Sequence, residues 1–123
     1  MKFLLDTNFF LIPGNFKVDI FSELGILGKL EVYTLDLVVG ELEKLSEKRG
    51  EDSRSAKLGL KLLEHNNVKV MDSSGKITDL ELESMAEKEG YIVCTQDKKL
   101  IVRLKKKSLK VVYLRQKKYL EMG

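Results

Sequence analysis

The chain has 123 residues, 43% of them hydrophobic, which is enough to enclose one core and predicts a single domain over residues 1–123. Its one cysteine, Cys94, excludes an internal disulfide, and without a signal-peptide pattern or an apolar run of about 18 residues we expect a soluble cytoplasmic protein with no membrane partner. The net charge of +3 hides an asymmetry, because residues 98–123 carry +9 and residues 1–97 carry −6.

Apolar patterning predicts strands and helices that alternate along the chain. Gly28 and Gly90 are expected to end helices, Asp36 to cap one, and Thr78 with Glu81 to form a capping box. A Gly-containing turn is expected after the first strand, and residues 73–78 are expected to form a loop. The predicted strands are 3–5, 31–34, 68–71, 91–94 and 111–114, and the predicted helices are 16–27, 36–50, 52–67, 78–90 and 97–107. This order is typical of a parallel sheet with helices on both faces.

Two acids follow predicted strands. Asp6 comes directly after the apolar run 3–5, and Asp97 comes three residues after Cys94. Because open parallel sheets place their functional sites beyond the carboxyl ends of the strands, both acids are expected at one edge of the sheet. Each also has a structural interpretation, Asp6 as the cap of a turn and Asp97 as a helix N-cap.

Two further acids are predicted on helices. Asp79 shares a helix face with Leu82 and Ala86, so it points toward the interior, although an acid in a first helical turn is also favourable by itself. Glu41 and Glu43 flank the apolar stripe of the helix that starts near Asp36. Helical periodicity does not choose between these two glutamates.

Four stretches together resemble the PIN domain family: LLDTNFF at 4–10, VVGELEKL at 38–45, TDLELESMAEKEGYIVCTQDKKL at 78–100 and VVYLRQKKYL at 111–120. The likeness extends over residues 2 to about 119 and is greatest to short archaeal members near the ribosomal-RNA-processing branch, which includes the small-subunit processome endonuclease. It implies a three-layer α/β/α sandwich with a central, mostly parallel sheet. It also implies metal-dependent ribonuclease activity through Asp6, Glu41, Asp79 and Asp97, and so selects Glu41 over Glu43.

The chemistry implied by this resemblance is that of carboxylates with a bound Mg²⁺ or Mn²⁺. We expect Thr7, Asn8 and Thr95 to orient the metal ligands or touch phosphate. Two positions depart from the family pattern. Leu80 stands where many members have a second acid, and Lys98-Lys99 where many have another polar or acidic group. Both departures favour a site with one firmly held cation over a site with two symmetrically bound cations.

The basic end predicts contacts with RNA phosphates. The expected contact residues are Lys105, Lys106, Lys107, Arg115, Lys117 and Lys118. The partner would be RNA, single-stranded or structured ribosomal RNA, and a homodimer is left open. Three functions therefore remain: an endoribonuclease of ribosomal RNA processing, a toxin ribonuclease of a toxin–antitoxin pair, and a PIN module that binds RNA or ribosomal partners without cutting. Retention of all four acids favours an enzyme, because a protein that only binds RNA would gain from losing negative charge.

Overall fold

The computed structural model of the protein describes residues 1–29, 31–73 and 77–123. These residues form six strands and seven helices. The strands are β1 (Lys2–Leu5), β2 (Glu31–Leu35), β3 (Lys69–Met71), β4 (Ile92–Cys94), β5 (Val111–Arg115) and β6 (Tyr119–Met122). The helices are α1 (Thr7–Phe10), α2 (Ile12–Phe16), α3 (Ile20–Leu27), α4 (Asp36–Ser46), α5 (Glu51–His65), α6 (Thr78–Glu89) and α7 (Lys98–Lys106).

The strands form one sheet in the order β3-β2-β1-β4-β5-β6. The first five strands of the chain are parallel to their neighbours, and only β6 is antiparallel, to β5. At the centre, Leu5 of β1 lies beside Thr34 of β2 and Cys94 of β4. The predicted central, mostly parallel sheet is confirmed.

The helices cover the sheet on its two faces. The chain moves from β1 toward β3 in one direction and from β4 toward β5 in the other, and right-handed crossovers therefore place the intervening helices on opposite faces. In agreement, α5 packs against α1, α2 and α4, whereas α6 and α7 pack against each other and against β4 and β5. The three-layer α/β/α arrangement is confirmed.

The innermost strand explains the uninterrupted apolar run at the start of the chain. Phe3, Leu4 and Leu5 alternate between the two faces of β1, and each is fully buried. Because helices cover both faces, every side chain of the run meets apolar neighbours. Because both faces of β1 are buried, burial alone would not distinguish this register from one shifted by a residue. The register of β1 is set instead by its pairing with β2 and β4.

One close approach fixes α5 against α1. A Cβ atom placed on Gly59 would lie 2.7 Å from the carbonyl oxygen of Phe10, closer than such atoms approach. The glycine therefore allows two helices to pack with their backbones nearly in contact. Since α1 begins directly after Asp6, this packing also helps to hold the segment that follows β1.

The chain between β1 and β2 differs from the prediction. The expected turn is instead two short helices, α1 and α2, and the helix predicted over 16–27 starts only at Ile20. Lys17 is in the left-handed conformation, which ends α2, and the Asp19 carboxylate then caps α3 by accepting from the Ser22 N–H group at 3.1 Å. Periodicity missed these boundaries because the apolar spacing continues across the break between α2 and α3.

Four other details differ from the prediction. The strand β6 was not predicted, because YLEM is short and acquires its strand form by pairing with β5. Helix α4 ends at Ser46 rather than Gly50, and Asp36 is its first residue, with Leu35 as the N-cap. Thr78 is likewise the first residue of α6, and the N-cap is Ile77, which has no side-chain capping bond. The predicted loop 73–78 lies partly outside the described residues, since 74–76 are among those not described.

No helix in the described ranges is both long enough and apolar enough to cross a membrane.

Candidate active site

The carboxyl ends of β1 and β4 bring Asp6 and the segment 95–97 side by side. The two strands are direct neighbours, and the Asp6 N–H group donates to the Cys94 carbonyl at 3.0 Å. Asp97 follows as the N-cap of α7, where its carboxylate accepts from the N–H groups of Lys99 at 2.9 Å and Leu100 at 3.4 Å. The sequence correctly placed both acids at one edge of the sheet, and the structural interpretation of Asp97 as a cap also holds.

Asp6 is a buried carboxylate with several donors around it. It is only 5% exposed and accepts from the Thr7 N–H group at 2.7 Å and the Thr95 hydroxyl at 2.9 Å. The Asn8 amide lies at 3.4 Å from its second oxygen. Burial raises the pKa of Asp6 to about 6, and the negative charges of Asp79 and Glu41 act in the same direction while the hydrogen bonds oppose it.

A polar network ties the segment after β4 to the segment after β1. Thr95 is fully buried, and its oxygen accepts from the Asp97 N–H group at 3.1 Å. The side-chain amide oxygen of Asn8 accepts from the Gln96 N–H group at 2.9 Å, and the Gln96 side chain in turn accepts from the Leu114 N–H group at 2.6 Å. Asn8 and Thr95 therefore hold the two acidic segments together.

Gln96 is a supporting residue that sequence analysis did not identify. Its side chain reaches β5, so it links three neighbouring segments at the carboxyl edge. The available signal was the polar run Thr95-Gln96-Asp97 directly after a buried strand. That run marked Asp97 but gave no reason to expect a contact with β5.

Glu41 enters the site from α4 and is held by two hydroxyl groups. Thr7 donates a short hydrogen bond to one of its carboxylate oxygens, and Thr78 donates to the other at 3.4 Å. The Thr78 side chain thus turns toward Glu41, a contact that the capping-box pattern did not reveal. Glu43, on the same helix, does not line the cavity described below.

Asp79 lies in the first turn of α6 beside Asp97. Burial raises the pKa of the Asp79 carboxyl, and the negative charge of Asp97 adds to that effect while Arg103 opposes it. Arg103 belongs to α7 and pairs with Glu83 of α6 at 3.2 Å. Glu83 also pairs with Lys107 at 3.1 Å, so two ion pairs fasten the helix that carries Asp79 to the helix that Asp97 caps.

All four predicted acids line one cavity of about 470 Å³ at the carboxyl edge of the sheet. They come from four separate segments of the chain, and Thr7, Asn8 and Thr78 line the same cavity. Leu80 lies outside it and is 56% exposed. Lys98 and Lys99 are exposed at the start of α7, so neither departure from the family pattern supplies an additional ligand.

The donor set fits a hard divalent cation, since carboxylate oxygens are the ligands that Mg²⁺ and Mn²⁺ prefer. Burial raises the pKa values of Asp6 and Asp79 most, and the neighbouring negative charges raise them further, as expected where carboxylates are gathered in a partly buried cavity. Within residues 1–29, 31–73 and 77–123, no three acids, histidines or cysteines are grouped closely enough to hold an ion between them. The acids share the cavity but would have to draw together around a cation.

The structure divides the predicted RNA-binding residues into two groups. Lys105, Lys106 and Lys107 end α7, and since β5 then begins at the amino edge of the sheet, they lie at the edge opposite the acids. The Lys105 amino group is 4.7 Å from the centre of the Tyr113 ring, and Lys107 pairs with Glu83 and Glu87.

The second group lies at the same edge as the acids. Arg115 ends β5, next to the strand that leads to Asp97, and Lys117 and Lys118 follow in the turn to β6. Arg115 pairs with Glu121 at 3.1 Å, whereas both lysines are exposed. The phosphate contacts predicted for this group are thus closer to the cavity than those predicted for the end of α7.

Comparison with known proteins agrees with the PIN-family resemblance seen in the sequence but does not favour the ribosomal-RNA-processing branch over VapC ribonucleases. The profile of the PIN-like domain matches residues 3–117. Ribonuclease VapC9 of Archaeoglobus fulgidus is 35% identical over 116 residues, which cover 94% of this chain and 84% of that protein. Ribonuclease VapC4 of Methanocaldococcus jannaschii is 30% identical over 125 residues, covering 98% and 95%.

Two solved structures share the fold. The PIN domain endonuclease Utp24 superposes with a TM-score of 0.77 and 20% identity, over 99% of this chain and 90% of that chain. A domain of a functionally unknown protein from Methanocaldococcus jannaschii superposes with a TM-score of 0.61 and 21% identity, over 93% and 91%. At these identities the superpositions establish the fold alone.

Proposed function

The protein belongs to the PIN-like domain family, and from that premise we propose that it is a divalent-metal-dependent endoribonuclease. The observation that carries the proposal is the convergence of Asp6, Glu41, Asp79 and Asp97 on one cavity. A carboxylate cluster of this kind is costly for a protein that only binds RNA, because it repels phosphate. The carboxylate cluster is explained if it holds a cation that also binds a phosphate of the RNA substrate.

The four acids would hold Mg²⁺ or Mn²⁺. When bound, the cation supplies a water of lowered pKa and positive charge beside the phosphate that is cleaved. Side chains and backbone groups of the chain hold the acids in position. Thr95 and the Thr7 N–H group hold the Asp6 carboxylate from two sides, and the hydroxyls of Thr7 and Thr78 hold Glu41. These bonds limit the rotation of each ligand, which lowers the cost of ordering the site.

Two biological roles are consistent with this activity. The likeness to two VapC ribonucleases supports a toxin ribonuclease of a toxin–antitoxin pair, whereas an endonuclease of ribosomal RNA processing is supported by the resemblance seen in the sequence. In both roles the partner is RNA, in the cytoplasm, and a homodimer is compatible with either. A small antitoxin gene next to this one would favour the toxin role over the processing role.

The test is RNA cleavage in Mg²⁺ or Mn²⁺ by the wild type and by Asp97→Asn and Glu41→Gln. Asn caps helices as well as Asp does, so Asp97→Asn should leave α7 intact and remove only a ligand charge. Glu43→Gln is the matched control for Glu41→Gln, since it makes the same change on the same helix outside the cavity. We expect the two site variants to lose cleavage by orders of magnitude and the control to retain it.

Metal binding is tested separately from cleavage by thermal unfolding. A cation that binds only the folded state stabilises it by about 2.7 kcal/mol at a hundredfold excess over Kd. The melting temperature of the wild type should therefore rise in Mn²⁺, and that rise should vanish in the Asp6→Asn/Asp97→Asn double variant. An equal rise in both proteins would show a nonspecific ion effect. Metal binding by a wild type that does not cleave RNA would instead favour the PIN module that binds RNA without cutting it.

A further inference from the structure

The cavity has a second side that the acids do not occupy. Lys44, Leu45 and Lys48 line it three, four and seven residues after Glu41, a spacing that keeps them on the same side of α4. Lys48 lies beyond the last residue of α4, but its N–H group donates to the Leu45 carbonyl at 3.1 Å and so continues the turn. Leu11, which follows α1, faces the same space.

The two lysines are exposed and have their charges available. The side-chain ion pairs of the described chain join other groups, namely Arg103 and Lys107 to α6 and Arg115 to Glu121. Lys44 and Lys48 therefore line a cavity with four carboxylates without forming an ion pair with any of them. Cations in that position can bind a phosphate group of the substrate.

The apolar part of this side is suited to a nucleoside. Leu11 and Leu45 are half-buried and present hydrocarbon to the cavity between the acids and the lysines. A second cavity of about 350 Å³ lies along α4 beside Leu37 and Gly40, and Glu41, Lys44 and Thr78 line both cavities. The two cavities thus form a groove longer than the acidic site itself, with Lys44 where they meet.

We propose that this side of the groove is a nucleotide subsite for single-stranded RNA. Lys44 and Lys48 bind backbone phosphates next to the phosphate that is cleaved, and Leu11 and Leu45 pack against the intervening nucleoside. The subsite thereby sets which linkage of the strand enters the acidic site. This inference rests on the proposed ribonuclease function, and it adds residues outside the basic end of the chain.

The test measures equilibrium binding of a fluorescently labelled single-stranded RNA in EDTA, where metal-dependent cleavage does not occur. The Lys44→Gln/Lys48→Gln variant should bind roughly tenfold more weakly than the wild type, and its slope of log affinity against log salt should fall by about 1.4, or about 0.7 per lost phosphate contact. The matched control is Lys57→Gln/Lys61→Gln on α5, which removes the same charge from two exposed lysines outside the cavity.

Equal losses of affinity in the two double variants would mean that only net charge matters and would overturn the subsite. An unchanged affinity in Lys44→Gln/Lys48→Gln would overturn it as well. The apolar part is tested with an abasic strand, which should bind more weakly than normal RNA to the wild type but nearly equally to Leu45→Ala. These results are independent of cleavage, so a wild type that binds RNA through Lys44 and Lys48 but fails to cut it refutes only the proposed activity.

Discussion

Replacement of Asp6 by Asn should stabilise the metal-free protein and abolish its activity. Asn has nearly the same shape as Asp, so the packing around the position is retained. What changes is the charge, which the structure places in a site that is only 5% exposed and faces Asp79 and Glu41. A carboxylate under these conditions is unfavourable until a cation neutralises it.

The size of the effect follows from the pKa of Asp6, which burial raises from 3.8 to about 6. Between these two values the folded state binds a proton that the unfolded state has lost, so stability falls as the pH rises through this range. Above about pH 6 the full cost applies, and at roughly 1.36 kcal/mol per pKa unit it reaches about 3 kcal/mol. Asn offers one accepting oxygen where Asp6 accepts at two, and this loss of hydrogen bonding reduces the expected gain to about 1–3 kcal/mol.

Thermal unfolding in EDTA at pH 7.5 and pH 4 measures this prediction. At roughly 4 °C per kcal/mol for a chain of this size, Asp6→Asn should melt about 4–12 °C above the wild type at pH 7.5 and close to it at pH 4. Asp72→Asn, at an exposed position, controls for the loss of one negative charge. A melting difference that is the same at both pH values would refute the reasoning, as would an Asp6→Asn variant that cleaves RNA like the wild type.

Three other variants test the surroundings of the site. Thr78→Val removes a hydroxyl that holds Glu41, so metal affinity should fall by about 10- to 100-fold in a titration, and Thr78→Ser should restore it. Glu83→Gln should lose about 1–2 kcal/mol at pH 7 in urea unfolding, because hydrogen bonds from Lys107 and Arg103 hold its pKa below the ordinary value even though burial opposes them. That loss should shrink as the pH falls below the ordinary pKa of 4.5 and the wild-type carboxyl takes up its proton, and a loss independent of pH would argue against the ion pairs. Gly59→Ala should lower stability by about 1–3 kcal/mol, since its methyl group would meet the Phe10 carbonyl oxygen, and an unchanged melting temperature would contradict that contact.

Much of the architecture was predictable because its signals are local. An apolar run is buried on both faces of a sheet wherever helices cover both sides, and alternating strands and helices form a parallel sheet by the handedness of their crossovers. The positions of Asp6 and Asp97 follow from the same rule, since the carboxyl ends of adjacent parallel strands meet at one edge. Among the errors, β6 was missed because a short strand acquires its form by pairing with its neighbour β5, and the start of α3 was missed because the apolar spacing continues across the break after α2.

In the candidate site, too, some features follow from the sequence and others only from the tertiary structure. The sequence by itself identified the acids and, through the family resemblance, preferred Glu41 to Glu43, but periodicity left those two equivalent. Only the tertiary structure brings the hydroxyls of Thr7 and Thr78 to Glu41, and only it shows that Lys44 shares the cavity. Helical spacing sets which residues share a face of one helix, whereas the neighbours of that face come from segments more than thirty residues away. Their contacts, and the burial that raises the pKa of Asp6, arise when the layers pack together, because desolvation and charge repulsion depend on distances that no local pattern encodes.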